Sequence, residues 1–439
     1  MIMKTTDIAS VRPSRRLGIG TAAAVVVGAL ALAVIAQAIF TRDPYWALRW
    51  TVDLKVYLAS GAAVRSGTSL YDVAIQSPLY GPMPYLYPPL TAILFFVPLS
   101  FLPIGAASLV WNTLSLVALG GVAWLALGIA GVRTPRARAA LTLVVLLLAS
   151  WLLPVRIQLI AGQINMFLLL LVLSDFRGYT GRWRGVGIGI AAGLKVTPLI
   201  FIGYLVVTRQ WRAAGTAFAA FLGTVLVGFV LLPADATRYW SGLVLHSSRA
   251  GGVWDTPNQS LSGALARGVS STQFAHWWLA VLAVVAVAGL AVARYAHRHG
   301  SDFLGFSAAA ITGLLVSPVS WEHHWVYVIP LLVWLAVRAW QTRSAGLGAV
   351  TVALVAVFSV RVFSLLGIQE SPPAPMALAG WEQVIAALFP LTGLLLLVAG
   401  PLWLRRAERV PVAPPAERIR VVPGALVEAA RQPAPAVTG

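Results

Sequence analysis

The residues able to do chemistry in this chain are few and locally concentrated. The stretch SPVSWEHHWVYVIPLL, Ser317 to Leu332, sets Glu322, His323 and His324 side by side between apolar flanks, in a chain with only six histidines and six glutamates. WTVDLKVYLASGAAV carries Asp53, IAGQINMFLLLL carries Gln163 and Asn165, and AAGLKVTPLIF carries Lys195 with Pro198 three residues on. Ionisable groups next to lipid-like sequence are costly to keep, so each is a candidate for function.

A metal site is the first reading of Glu322, His323 and His324. Zinc-binding histidines on a helix stand four residues apart, because neighbours point about 100° away from each other. Three consecutive residues of one helix therefore cannot converge, although Ser317-Pro318 marks a break from which two could. Two further readings remain open. One is an interfacial helix start anchored by Trp321 and Trp325; the other is one wall of a polar site that holds an anion. No metal and no cofactor is expected.

One good carboxylate with scattered cations and imidazoles suits a particular leaving group. A glycosidase needs two carboxylates, because its alkoxide leaving group must be protonated. A sugar carried on a lipid phosphate needs only one base to deprotonate the acceptor hydroxyl, since phosphate departs as a stable anion. Cations or hydrogen-bond donors must then receive that phosphate. Asp53 is the candidate base; Lys195, an arginine and one imidazole are candidates for the phosphate. Each residue also has a structural reading. Asp53 pairs with Lys55 or caps its helix, Lys195 snorkels, and Gln163 and Asn165 glue helices together. Asn258, in TPNQSLSGAL, fits the N-x-S pattern of a glycosylation acceptor, or a polar loop returning to the site.

The elements that must position these residues are membrane helices. The 439 residues are 59% hydrophobic and 10% charged, where a soluble domain is about a quarter charged. Basic residues outnumber acidic ones 32 to 14, and all but Lys4, Lys55 and Lys195 of the former are arginines in short loops and tails. That pattern fits membrane topology and anionic headgroups and argues against a nucleic-acid partner. Absence of cysteine excludes disulfides and thiolate chemistry.

Runs of about 20 apolar residues follow a cytoplasmic N-terminus at 1–16. The first, Leu17 to Phe40, is too long for a signal-peptide core and is expected to be a retained helix despite Ala36-Gln37-Ala38. Others fall near 86–102, 105–131, 139–155, 162–176, 185–207, 213–233, 275–295, 303–320, 323–340, 346–367 and 381–404. A transmembrane domain at 17–404 thus has about ten to twelve spans. Long extracytoplasmic loops are expected at 41–85 and 234–274, the first holding Asp43, and a flexible cytoplasmic tail at 405–439. Counting spans from a cytoplasmic start puts Arg209, Arg212, Arg294, Arg298, Arg338, Arg343, Arg405 and Arg406 inside, as the positive-inside rule asks. The same count puts Arg133, Arg136 and Arg138, and Arg177, Arg182 and Arg184, outside. Either some early helices are re-entrant, or those arginines face outward to hold lipid phosphate.

Six motifs in order resemble one family: Asp53 to Tyr57, Tyr87-Pro88-Pro89-Leu90, Gly162-Gln163-Ile164-Asn165, Gly193 to Pro198, Asn258-Gln259-Ser260, and Ser317 to Trp325. Together they resemble the polyprenol-phosphate-mannose-dependent mannosyltransferases of mycobacteria and relatives, glycosyltransferase family 87. The likeness covers about 15–405. The resemblance implies an all-α integral-membrane GT-C fold with amphipathic helices in the outer loops. It also implies a polyprenyl-phosphate-mannose donor and α-1,2 transfer with inversion onto phosphatidylinositol mannoside or a related lipoglycan. It makes Asp53 the base and His323 and His324 part of the active site, in a multi-pass protein of the cytoplasmic membrane whose site faces outward. Lys195 and His324 are expected on the donor phosphate. Tyr57, Gln163, Asn165, Asn258, Gln259, Trp321 and Glu322 are candidate sugar or acceptor contacts. Position 322 departs from the family pattern, where a small polar residue or Asp is expected. A transporter or flippase for a polyprenyl-linked sugar is the rival reading; it expects polar groups spread through the depth and at both faces.

Overall fold

In a computed structural model of the chain, the described residues are 19–42, 50–78, 80–178, 180–269, 271–371 and 378–409. The segments 1–16 and 410–439 and the residue Asp43 lie outside them. Contacts group Met1–Pro401 into one unit; of the second, Leu402–Gly439, only the end of the helix Leu388–Arg409 is described.

The fold is helical, as expected. Its only described sheet is a two-stranded hairpin, Ala74–Ser77 with Gly81–Pro84, inside the first long loop. Among the described residues four helices are long and apolar enough to cross a membrane singly: Ile104–Ile129, Trp211–Leu231, Trp277–Arg298 and Glu322–Thr342. Two bent pairs also qualify, Pro135–Ala149 with Leu153–Ala161 at 76° and Gly380–Ala386 with Leu388–Leu402 at 67°. Five shorter apolar helices complete the set, Ala23–Ile39 among them. The loops carry the helix Val52–Arg65 and the amphipathic helices Pro233–Ser241 and Leu261–Gly268.

The direction of each helix corrects two expected spans. Residues 86–102 do not cross. The helix that begins at Pro89, where a missing N–H costs nothing, ends at Leu99, roughly 16 Å on, and lies along Val52–Arg65. Thr91 donates to the Leu194 carbonyl at 2.7 Å, and Arg65 donates to the Ser100 carbonyl at 3.0 Å. Residues 185–207, by contrast, form a hairpin of two antiparallel halves. Helix Val186–Leu194 runs parallel to Trp211–Leu231, with Gly185 against Ala213 and Gly193 against Thr224. Helix Leu199–Val207 then returns, with Ile200 beside Gly313 and the Tyr204 hydroxyl on the Asp302 carbonyl. Pro198 cannot continue the first helix, and Lys195 at the break is extended (φ −153°, ψ 132°). Each half has nine residues, roughly 14 Å against a hydrocarbon core of roughly 30 Å. The hairpin tip is therefore recessed.

Those two corrections resolve the arginine conflict. Removing one pass before Arg133 and letting the 185–207 hairpin return to the end it started from puts both misplaced clusters at the same end as the others. Contacts agree. Gln341 donates to the Ala130 carbonyl at 3.2 Å, Trp334 meets Phe303 and Phe303 meets Phe176, and Arg294 donates to the Val207 carbonyl. Arg138 is not part of an anion site: its guanidinium is buried against Trp124 and donates to the Trp124 carbonyl at 2.6 Å.

Candidate active site

At the opposite end the two long loops close over the helix tips. Asp235 accepts from Ser69 at 2.5 Å, Arg238 pairs with Asp72 at 2.5 Å, and Tyr239 stacks on Tyr71. Arg249 donates to the Tyr85 carbonyl at 2.9 Å. Beneath lies a cavity of about 650 Å³ whose wall includes Asp53, Tyr57, Gln163, Lys195, His323 and His324.

Asp53 stands in the first turn of Val52–Arg65, a position that favours a carboxylate near unpaired backbone N–H groups. The helix is fixed from below, where the Thr51 N–H donates to the Ile160 carbonyl at 2.6 Å. Gln163 Nε2 donates to Asp53 Oδ2 at 2.5 Å and to the Tyr57 hydroxyl at 2.9 Å. The Tyr57 hydroxyl donates to that of Tyr87 at 3.0 Å, and Tyr87 closes the ring onto Gln163 Oε1 at 2.5 Å. Desolvation pushes the Asp53 carboxyl up to about 6, with the Gln163 bond and the Lys195 charge pulling the other way. Lys55 does not pair with it among the described contacts, so the first structural reading is not what is seen.

Gln163 can reach Asp53 because Gly162 ends the helix Leu153–Ala161 in the left-handed region (φ +79°). A Cβ at Gly162 would lie 2.7 Å from that of Leu54, so only glycine fits. Two residues on, Asn165 Oδ1 accepts from Lys195 Nζ at 2.9 Å, and Lys195 Nζ also lies 2.9 Å from His324 Nε2. A lysine ammonium has donors only, so a charged Lys195 makes Nε2 the acceptor and puts the His324 proton on Nδ1. The two imidazoles stand edge to face, at 89°. Among the described residues His323 Nε2 and His324 Nδ1 are buried without a hydrogen-bond partner. Lys195 neither snorkels away nor stands alone; it links one imidazole to the amide turn.

The opening stretch folds differently from the expected α-helix. Helix Asp302–Val316 ends, Ser317–Ser320 form a bent, non-helical link, and Glu322–Val328 form a 3₁₀ turn that leads into Ile329–Thr342. Glu322 turns onto Arg361, which donates to its two oxygens at 2.5 to 3.2 Å and to Glu370 at 2.8 Å. With its carboxylate taken by arginine, Glu322 is not positioned as a third metal ligand. Trp321 lines the cavity and bridges Asn258 through the backbone.

Asn258 and Gln259 do not sit where sugar contacts were expected. Asn258 donates to the Val253 and Pro318 carbonyls and accepts from the N–H groups of Ser260 and Ser320. Gln259 donates to the Thr256 and Ala386 carbonyls and accepts from Phe389 N. These amides hold the second loop to the 317–321 segment and are not part of the cavity wall. Gln158, Tyr87, Arg361 and Glu370 are the site's unexpected members. Tyr87 was visible only as part of a motif, and the Arg361–Glu322 pairing spans 39 residues of sequence with no local signal.

Comparison with known proteins accords with this arrangement. The profile of glycosyltransferase family 87 matches residues 85–318. A Mycobacterium tuberculosis protein described as polyprenol-phosphate-mannose-dependent alpha-(1-2)-phosphatidylinositol mannoside mannosyltransferase is 33% identical over 358 residues, 78% of this chain and 82% of its own length. A Mycolicibacterium smegmatis protein described as the corresponding pentamannoside mannosyltransferase is 33% identical over 352 residues, 77% of this chain and 84% of its own. Another from Mycolicibacterium smegmatis, with the first description, is 34% identical over 368 residues, 78% and 80%. On the match over more than half its length and on relatives of this identity and coverage, the chain belongs to glycosyltransferase family 87.

Proposed function

We propose that the protein transfers mannose from polyprenyl-phosphate-mannose to a 2-hydroxyl of a mannosyl acceptor on phosphatidylinositol mannoside or a related lipoglycan. Asp53 takes the proton of that hydroxyl. The acceptor oxygen then forms its bond to the anomeric carbon as the bond from that carbon to the phosphate oxygen breaks. The electron pair leaves with the phosphate, so no acid is needed. Attack opposite the leaving group inverts a β-linked donor to an α-linked product. Lys195, with His324 beside it, receives the phosphate charge. His323, Tyr57 and Trp321 are the wall against which the sugars lie.

The observation that carries this reading is that Asp53 and Lys195 face one cavity and are joined through the Gln163–Asn165 turn, whereas Glu322 and Glu370 on the same wall are taken up by Arg361. A carboxyl pushed up to about 6 is ionised at neutral pH and still basic enough to take a hydroxyl proton in the transition state. The site end is opposite the arginine-bearing end, and the positive-inside rule makes the latter cytoplasmic; the reaction then runs at the outer face of the cytoplasmic membrane. Membrane lipids surround the exposed apolar faces of the helices, and the recessed hairpin tip brings Lys195 toward the depth of a lipid phosphate. A flippase would move the donor without consuming it. Purified protein in detergent, given labelled polyprenyl-phosphate-mannose and an inositol mannoside acceptor, should yield an α-1,2-mannosyl product; donor recovered intact would reject the reading.

A further inference from the structure

The base and the phosphate cation are held by one turn; Trp111 Nε1 donates to its Gly162 carbonyl at 2.8 Å and Asn165 Nδ2 to the His323 carbonyl at 3.4 Å, but one side chain that the reaction does not touch, Gln158, bonds to both Gln163 and Asn165. Gln158 is 1% exposed and is absent from the cavity wall. Its backbone carbonyl accepts from the N–H groups of Gly162 and Gln163, at 3.1 and 3.0 Å. Its side-chain Nε2 donates to the Gln163 carbonyl, and its Oε1 accepts from Asn165 Nδ2 at 3.0 Å. The far ends of those partners are the functional ones. The Gln163 amide reaches Asp53, and Asn165 Oδ1 reaches Lys195 Nζ at 2.9 Å. An amide donates from its nitrogen and accepts at its oxygen, so one side chain can serve two separated partners at once. A hydrophobe in its place would leave the Gln163 carbonyl and the Asn165 amide short of a partner in a dry interior.

We propose that Gln158 is a positioning residue that couples the two halves of the active site, its one amide fixing both the Gln163 arm on Asp53 and the Asn165 arm on Lys195. The proposal rests on the reading of Asp53 as base and Lys195 as phosphate cation. It makes a demand that simple packing does not: loosening Gln158 must disturb both arms together, while loosening either arm alone must disturb one.

The test compares Gln158→Met with Gln163→Met and Asn165→Leu, using labelled polyprenyl-phosphate-mannose and an inositol mannoside. Gln163→Met should move the acid limb of kcat/KM to higher pH, because it removes a hydrogen bond to the ionised carboxylate, and leave the donor KM near wild type. Asn165→Leu should raise the donor KM about tenfold and leave the limb in place. Gln158→Met should do both, with kcat down about tenfold. A Gln158→Met enzyme that loses thermal stability but keeps the wild-type limb and donor KM would overturn the coupling. Should Gln158→Met not fold, Gln158→Glu keeps the size and the acceptor oxygen but gives up the donor. It should lower kcat with the donor KM unchanged; an unchanged kcat, or a donor KM that rises in step, overturns the proposal. The wild-type reaction and its loss in Asp53→Asn separate the two claims. If those fail, the transferase reading fails; if they hold and the Gln158 variants behave as wild type, only the coupling fails.

Discussion

Two pairs of buried amides look alike in sequence and do opposite work. Gln163 and Asn165 are 6% and 2% exposed; Asn258 and Gln259 are 0% and 2%. The first pair spends its amides on Asp53, the tyrosine hydroxyls and Lys195. The second spends them almost wholly on backbone carbonyls and N–H groups. Burial therefore does not separate a site residue from a structural one here; the chemical nature of the partner does. An amide on the backbone fixes a loop. An amide on an ionisable side chain sets where a charge sits and how readily it takes a proton.

The comparison can be broken by experiment, starting where the effect is largest. Lys195→Ala removes the cation at the end of the first pair's network and should cost roughly 10²–10³-fold in kcat/KM, read as transfer from labelled donor. A loss below threefold would remove Lys195 from the chemistry. Gln163→Leu should cost roughly 10-fold or more in kcat, since the base loses its orienting donor. In the wild type, rate should fall with decreasing pH through about 6, the value to which burial pushes the Asp53 carboxyl, because a protonated carboxyl cannot act as base. A profile flat from pH 5 to 8 would mean that another group is the base. Asn258→Ala should leave kcat near wild type and lower thermal stability by roughly 1–3 kcal/mol, the cost of stranding buried backbone groups. Transfer lost without loss of stability would place Asn258 back in the site.

Much of the site was legible because its residues are chemically conspicuous against their surroundings. Asp53, Lys195 and the histidine pair are rare polar groups in apolar sequence, and Gly162-Gln163-Ile164-Asn165 reads as a helix break by its glycine. Gln158 was not legible, since a glutamine in LPVRIQLIA is an ordinary polar residue of a short helix until its partners are known. Arg361 and Glu370 lie far from Glu322 in sequence, and only the fold joins them. The helical class followed from hydropathy, but helix direction did not. Residues 86–102 are apolar enough to cross and yet stay at one end, whereas 185–207 is one apolar run that turns back at Lys195. Hydropathy measures length and greasiness. It took the Lys195–Pro198 break, with Gly193 packed on Thr224, to show that the chain reverses there.

The central claim is that Asp53 is the base of a mannosyl transfer to which the rest of the site is subordinate. Its most direct test is the Asp53→Asn enzyme with labelled polyprenyl-phosphate-mannose and an inositol mannoside acceptor. Burial raises the folded-state pKa of Asp53 above its usual 3.8, so the ionised form costs stability as pH rises through about 6. The asparagine variant should thus be no less stable than wild type at neutral pH. The account predicts a folded variant that still binds donor and forms no mannosyl product. Product formed at a rate within tenfold of wild type would contradict it.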